Sequence, residues 1–255
     1  FISTHFQSFS SAFWRSEYPP PILDPGFDLW ISDPNSGGNK PLVWKIDYAK
    51  GIGDRVLLEQ TMVAGRRALE IGVFQDGMDK DWVYAYLRQT IDGARLRALF
   101  SWEVGVFVFL EPSCACERQT RSQSTIFGVE INDWTHLLTF IFSQETAEPE
   151  QLLDRRTVFL TTPSGEWAYH RIDLDSEYRN AGWNVSGPPD RLTFSIFLGA
   201  AGFASGWHTV YVQLLWKKPA SSMQEEDRAE TLLLATTRKF SQPKYQTTSD
   251  YKKTS

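Results

Sequence analysis

From residue 42 onward the chain alternates apolar and polar positions in short runs, with turn residues between them, which is the pattern of half-buried strands. Leu42 to Tyr48 reads as a strand closed by Gly51-Ile52-Gly53-Asp54, and Val56 to Val63 as another closed by Gly65. Ala68 to Phe74 alternates before an acidic loop carrying Asp76, Asp79 and Asp81; Trp82 to Ile91 is aromatic and β-branched and turns at Asp92-Gly93. The alternation continues through Ala94 to Glu103 and Val104 to Leu110. Thr125 to Ile131 turns at Asn132-Asp133 and Thr135 to Phe142 returns, a hairpin signature. Arg156 to Thr161, Trp167 to Leu174, Leu192 to Leu198 and Thr209 to Trp216 complete the set. Many short strands with only brief helical patterns predict an all-β sandwich of the jelly-roll kind.

Two helical patches interrupt the rhythm. Ser176 to Ala181 is about one turn and ends at Gly182. Ser222 to Arg238 is longer, with acids Glu225, Glu226 and Asp227 in its first turn and Arg238-Lys239 at its end. The chain therefore divides into an N-terminal extension over 1–21 ending in three prolines, a sandwich over 22–217, and a helix with a polar tail over 218–255.

Composition narrows the function classes. The 255 residues are 42% hydrophobic and include ten Trp, enough for a core with large rings to spare. A formal net charge of -5 argues against a duplex nucleic-acid binder, which needs a cationic footprint. Both cysteines sit in one loop as Cys114-Ala-Cys116, which excludes a disulfide framework and leaves free thiols or one local bridge. No run of 18 apolar residues occurs, so no bilayer-spanning helix is predicted. The start, Phe1-Ile2-Ser3, has neither an initiator Met nor a signal pattern, so the expectation is a chain missing its original beginning.

Several phrases fall in a familiar order. Leu23-Asp24-Pro25-Gly26-Phe27-Asp28, Pro41-Leu42-Val43-Trp44, Gly65-Arg66-Arg67-Ala68-Leu69-Glu70-Ile71, Tyr86-Leu87-Arg88-Gln89-Thr90-Ile91, Gly165-Glu166-Trp167 and Val210-Tyr211-Val212-Gln213-Leu214 span about residues 22–217. In this order they resemble jelly-roll carbohydrate-binding modules with a galactose-binding-like fold. The resemblance implies a structural calcium ion, for which Asp28 would supply a carboxylate and Gly65 a carbonyl. Gln213 stands where the family usually has an acid, and losing an anionic ligand weakens a calcium site. No other cofactor is expected.

Sugar recognition needs rings that stack on pyranose faces, flanked by hydrogen-bonding groups. Trp82, Tyr84 and Tyr86 alternate along one strand and share a face, Arg88 continues it, and Trp102 lies near a strand end. These residues form a platform if the face is open, and part of a core if another element covers it. The four histidines (His5, His136, His170, His208) are scattered and match no zinc or nucleophile motif, so no catalytic residue is assigned. Asn184-Val185-Ser186 is a glycosylation sequon. The expected function is a non-catalytic, extracytoplasmic carbohydrate-binding module whose partner is a glycan, alone or attached to a membrane protein. The alternative is a structural or accessory subunit of a membrane-associated assembly that contacts other protein subunits through residues 1–21 and 218–255.

Overall fold

Fourteen strands and two short helices follow one another in the computed structural model, which describes residues 21–32, 39–49, 54–76, 82–101, 103–111, 123–183, 190–202 and 206–217. The strands are β1 (Trp30–Ser32), β2 (Asn39–Pro41), β3 (Lys45–Ala49), β4 (Arg55–Val63), β5 (Arg66–Gln75), β6 (Val83–Asp92) and β7 (Glu103–Leu110). They continue as β8 (Gln123–Asn132), β9 (Leu137–Ser143), β10 (Glu150–Gln151), β11 (Arg155–Thr161), β12 (Trp167–Ile172), β13 (Arg191–Gly202) and β14 (Gly206–Lys217). The helices are α1 (Gly93–Ser101) and α2 (Leu174–Asn180).

β1 and β2 form a small ribbon, and the remaining strands form two sheets. One has seven strands in the order β10-β11-β9-β8-β13-β6-β3, the other five in the order β12-β7-β14-β5-β4. All pairings are antiparallel except β11 beside β9. The β8–β9 hairpin forms at Asn132-Asp133 as the sequence predicts, and the whole is the expected jelly-roll β-sandwich.

Period-two alternation decides what lies between the sheets. Val83, Ala85, Leu87 and Ile91 of β6, Phe194, Ile196 and Leu198 of β13, and Phe127, Val129 and Ile131 of β8 point inward from the larger sheet. Leu69, Ile71 and Val73 of β5, Val104, Val106 and Val108 of β7, and Val210, Val212 and Leu214 of β14 meet them from the smaller one. The segment before β1 closes one margin of this core. Phe27 stacks on Trp44 with centroids 5.1 Å apart, and Gln89 grips both backbone groups of Leu23 at 3.0 and 2.6 Å. Pro21, assigned to the extension, is tied down as well, its carbonyl accepting from Arg95 Nη2 at 3.1 Å.

The run Ala94 to Glu103, read as a strand, is instead α1 up to Ser101. Its apolar residues fit either period, and the helix wins because Leu96, Leu99 and Phe100 then share one face against the core. Leu174 likewise opens α2 rather than ending β12, because the Asp173 side chain caps the helix by accepting from Ser176 N at 3.1 Å. The short strands β1, β2 and β10 have no counterpart in the sequence reading. The extension over 1–20, Cys114 and Cys116, Asn184, and the helix and tail over 218–255 lie outside the described residues.

One packing device recurs on the outward surfaces: a large ring lies across a glycine of a neighbouring strand. A methyl group added at Gly199 would meet Trp82 at 3.2 Å, and one at Gly128 would meet Phe197 at 2.7 Å. One at Gly72 would meet Trp207 at 3.3 Å, and one at Gly105 would meet Tyr169 at 2.7 Å. The missing Cβ lets each ring settle against the sheet, as in aromatic rescue of strand glycines. At Gly128 the added methyl would also stand 2.5 Å from the Phe140 carbonyl oxygen, which cannot swing away. Gly128→Ala is therefore expected to cost about 1–3 kcal/mol in urea denaturation. Gly206→Ala, whose methyl would meet nothing within 4 Å, should stay within about 0.5 kcal/mol of the parent. Equal stability of both variants would contradict the ring contact at Gly128.

Candidate functional site

The inward alternation of β6 turns Tyr84, Tyr86 and Arg88 to the outer face of the seven-stranded sheet, with Trp82 just before the strand. Strand register builds this face in rows. Ala49, Tyr84, Gly199 and Ile126 form one row, Asp47, Tyr86, Phe197 and Gly128 the next, and Lys45, Arg88, Ser195 and Glu130 the third. The structure thus brings together four of the five residues assigned to a sugar platform; the fifth, Trp102, lies outside the described residues.

The four have different surroundings. Trp82 is 39% exposed over Gly199. Tyr84 is half-buried and meets Tyr86 edge to face at 5.3 Å. Tyr86 is flanked by Tyr84, by Phe197 stacked at 5.2 Å, and by the Arg88 guanidinium 4.8 Å from its centroid. Tyr86 is thus packed on three sides, and Trp82 is the most open ring of the three. Burial, then the charge of Glu130, pushes the Tyr86 hydroxyl up to about 12 against the opposing effect of Arg88. It stays a neutral donor at physiological pH.

A polar row of Lys45, Arg88, Ser195 and Glu130 lies beside these rings. Arg88 Nη1 pairs with Asp47 Oδ2 at 3.1 Å, while its Nε and the Ser195 Oγ are buried without a hydrogen-bond partner. Burial raises the Glu130 carboxyl above the ordinary glutamate value, opposed by Arg88 and Arg155. Asp47 and Glu130 stand on β3 and β8, with β6 and β13 between them. Three strand spacings separate the backbones of Asp47 and Glu130, about 14 Å, whereas two-carboxylate glycoside hydrolysis works at about 5–9.5 Å.

The outer face of the five-stranded sheet holds a second aromatic field that the sequence reading missed. Glu59, Glu70, Tyr211, Phe109 and Trp167 stand in one cross-strand row, with Phe107 and Tyr169 in the next. Phe74 and Trp207 lie toward the other end with centroids 5.4 Å apart. The Tyr211 hydroxyl donates to Glu111 Oε1 at 3.1 Å. Burial, then the charges of Glu70 and Glu111, pushes this tyrosine up to about 12. Glu70 is itself raised by burial first and then by Glu59 and Glu111. The signal was present as aromatic alternation within β7, β12 and β14, but only the pairing of strands up to about a hundred residues apart joins those pairs into one surface.

The tip of the β4–β5 hairpin leans across this face. Trp167 Nε1 donates to the Val63 carbonyl at 3.0 Å, and the Arg66 guanidinium lies 3.7 Å from the Phe107 centroid while donating to Gln213 Oε1 at 2.9 Å. The residues implicated in a calcium site are thereby engaged by the two arginines that follow Gly65. Arg66 holds Gln213, and Arg67 Nη1 pairs with Asp28 Oδ1 at 3.0 Å, where Gln60 also donates. Gly65 sits in the turn with φ +79°. Among the described residues no group of three or more His, Cys, Asp or Glu could hold a metal ion.

Asp76, His136, His170 and His208, the described members of the acidic loop and the histidines, have local structural partners. Asp76 donates its backbone N–H to Asp54 Oδ1 at 3.0 Å, while Asp79 and Asp81 lie outside the described residues. His136 stacks on Trp183 at 4.5 Å beside Asp133, His170 meets Thr162 at 2.9 Å, and His208 meets Thr125 at 2.8 Å.

No family model and no curated protein sequence matches the chain. Similar solved structures include carbohydrate-binding modules of the β-sandwich superfamily studied for promiscuous specificity, at 11% identity over 69% of this chain with TM-score 0.39. The chain spans 57% of that structure's own length. A family 11 carbohydrate-binding module from Clostridium thermocellum, in complex with a β-1,3-1,4-mixed-linked tetrasaccharide, is 13% identical over 73% of this chain and 94% of its own, with TM-score 0.33. The xyloglucanase domain of NopAA from Sinorhizobium fredii, in complex with cellobiose, is 9% identical over 69% of this chain and 93% of its own, with TM-score 0.40. The sandwich itself rests on the strand pairing above, and these likenesses assign no site residue.

With arginines on both Asp28 and Gln213, added calcium would have to displace two guanidinium contacts to bind there. Millimolar Ca²⁺ is expected to move the melting temperature by no more than about a degree in differential scanning calorimetry. A rise of many degrees would show that calcium binds there in spite of these contacts.

Proposed function

We propose that the chain is a non-catalytic carbohydrate-binding β-sandwich that works outside the cytoplasm, with Trp82 and Tyr84 as its stacking rings. The observation that carries this reading is the exposed Trp82 held over Gly199 beside Tyr84, with Arg88, Asp47 and Glu130 in the adjoining rows. A ring fixed against the sheet loses little freedom on contact with a pyranose face, and charged acceptors and donors beside it fit sugar hydroxyls. An open face with few polar contacts supports affinities of about millimolar to micromolar, or roughly 4–8 kcal/mol. A location outside the cytoplasm, secreted or attached to a membrane protein, belongs to this reading. Among the described residues no helix is long and apolar enough to cross a membrane.

Glu59 and Glu70 support a second reading, because they are direct cross-strand partners on an aromatic surface and glycosidases use neighbouring carboxylates. One set of assays separates the two. Affinity electrophoresis against β-1,4-galactan, mixed-linkage β-glucan and xyloglucan should show retention on at least one of them. Trp82→Ala and Tyr84→Ala should weaken that retention about tenfold, or 1.4 kcal/mol. Trp82→Ala and Tyr84→Ala should each lose about 1 kcal/mol of stability, with the Gly199 and Tyr86 contacts respectively. No reducing ends should appear on prolonged incubation. Unaltered retention in both variants would remove the platform, and reducing ends that vanish in Glu70→Gln would make the protein a hydrolase.

A further inference from the structure

We infer that the outer face of the five-stranded sheet is a second binding site for a neutral polysaccharide, so that one molecule bridges two glycan strands. This inference rests on the carbohydrate-binding reading of the first face.

Three observations support it. The face is open at two of its rings: Trp207 is 42% and Tyr169 48% exposed. Both rings are built as Trp82 is on the opposite surface, lying across Gly72 and Gly105 respectively. Between them the row Glu59, Glu70, Tyr211 and Phe109 places acceptors and a hydroxyl along an aromatic floor, bounded at one end by the hairpin tip with Arg66.

Charge selects the occupant. An anionic ligand would meet Glu59, Glu70 and Glu111, whose mutual repulsion already raises Glu70 after burial has done so. A cationic ligand would seek the ring faces, but the chain's own guanidinium groups lie there, Arg66 over Phe107 and Trp167, and Arg55 over Phe74. What remains favourable is a neutral, hydroxyl-rich ligand that stacks on Trp207 and Tyr169 and donates to the carboxylates. The outward residues of two packed sheets point in opposite directions, so a strand on one face cannot also lie on the other. Two occupied faces therefore mean two glycan chains.

The test uses the full chain and the three polysaccharides named above. Light scattering should rise when wild-type protein is mixed with the retained polysaccharide and fall again at protein excess, as cross-linking gives way to single-ended binding. The double variant Trp207→Ala with Tyr169→Ala, and separately Trp82→Ala, should each still be retained in affinity gels yet lose scattering by at least about tenfold. Glu70→Gln keeps every ring and should also reduce scattering, which guards against a folding defect in the double variant. Loss of all retention in Trp82→Ala alone, or full cross-linking by the double variant, would overturn the second site and leave the first intact. A wild-type dimer in sedimentation without polysaccharide that becomes monomeric in the double variant would also overturn it, marking the face as a protein interface. Wild-type protein retained by none of the polysaccharides would overturn the carbohydrate-binding reading, and the second site with it.

Discussion

Because side chains alternate along a strand, packing the inner faces of the two sheets commits every second residue to the outside. Leu87, Ile196 and Val129 meet the opposite sheet, and Tyr86, Phe197 and Gly128 one position along cannot avoid the outer surface. The same holds across the sandwich, where Val108 and Val212 turn inward and Phe109 and Tyr211 outward. Substituting an inward valine would disturb the core, whereas an outward ring is free of that constraint. Large rings at many of these free positions are therefore the feature that calls for an explanation beyond folding.

Glycines are what make those rings usable. A side chain at Gly199 or Gly72 would lift the neighbouring tryptophan away from the sheet, and one at Gly128 would collide with backbone. Leaving out the Cβ costs local strand preference and is offset by a ring held close to the sheet. Ordering the ring before a ligand arrives lowers the entropy lost on binding, which matters most where each contact is weak. The arginines act in the same direction. Arg88, Arg66 and Arg55 lie against rings, and Arg88 and Arg66 also hold Asp47 and Gln213, so these polar groups are fixed in advance.

Features that depend on one strand were readable from the sequence, and those that depend on pairing were not. The period of β6 placed Trp82, Tyr84, Tyr86 and Arg88 on one side without any knowledge of their neighbours. That Phe197 would stack on Tyr86, or that Gly199 would lie under Trp82, requires a register between β6 and β13, which are more than a hundred residues apart along the chain. The aromatic field on the five-stranded sheet was hidden for the same reason, since β7, β12 and β14 each contribute only two or so of its rings. α1 was misread because Ala-Arg-Leu-Arg-Ala-Leu satisfies a period of two and a helical face alike, and only the core beneath it distinguishes them. The calcium expectation came from the resemblance to carbohydrate-binding modules, and the phrases that carry it do not reveal that Arg67 pairs with Asp28 and Arg66 with Gln213.

Sugar contact at the exposed rings of the outer sheet faces is a measurable event. It can be observed directly by recording the indole N–H and backbone amide resonances while a neutral oligosaccharide is titrated into the isotopically labelled chain. The Trp82 indole and the amides of Tyr84, Phe197 and Gly199 are expected to shift together in a saturable manner, while core amides such as those of Leu87 and Ile196 stay in place. Shifts confined to other parts of the molecule, or none at millimolar oligosaccharide, would contradict it.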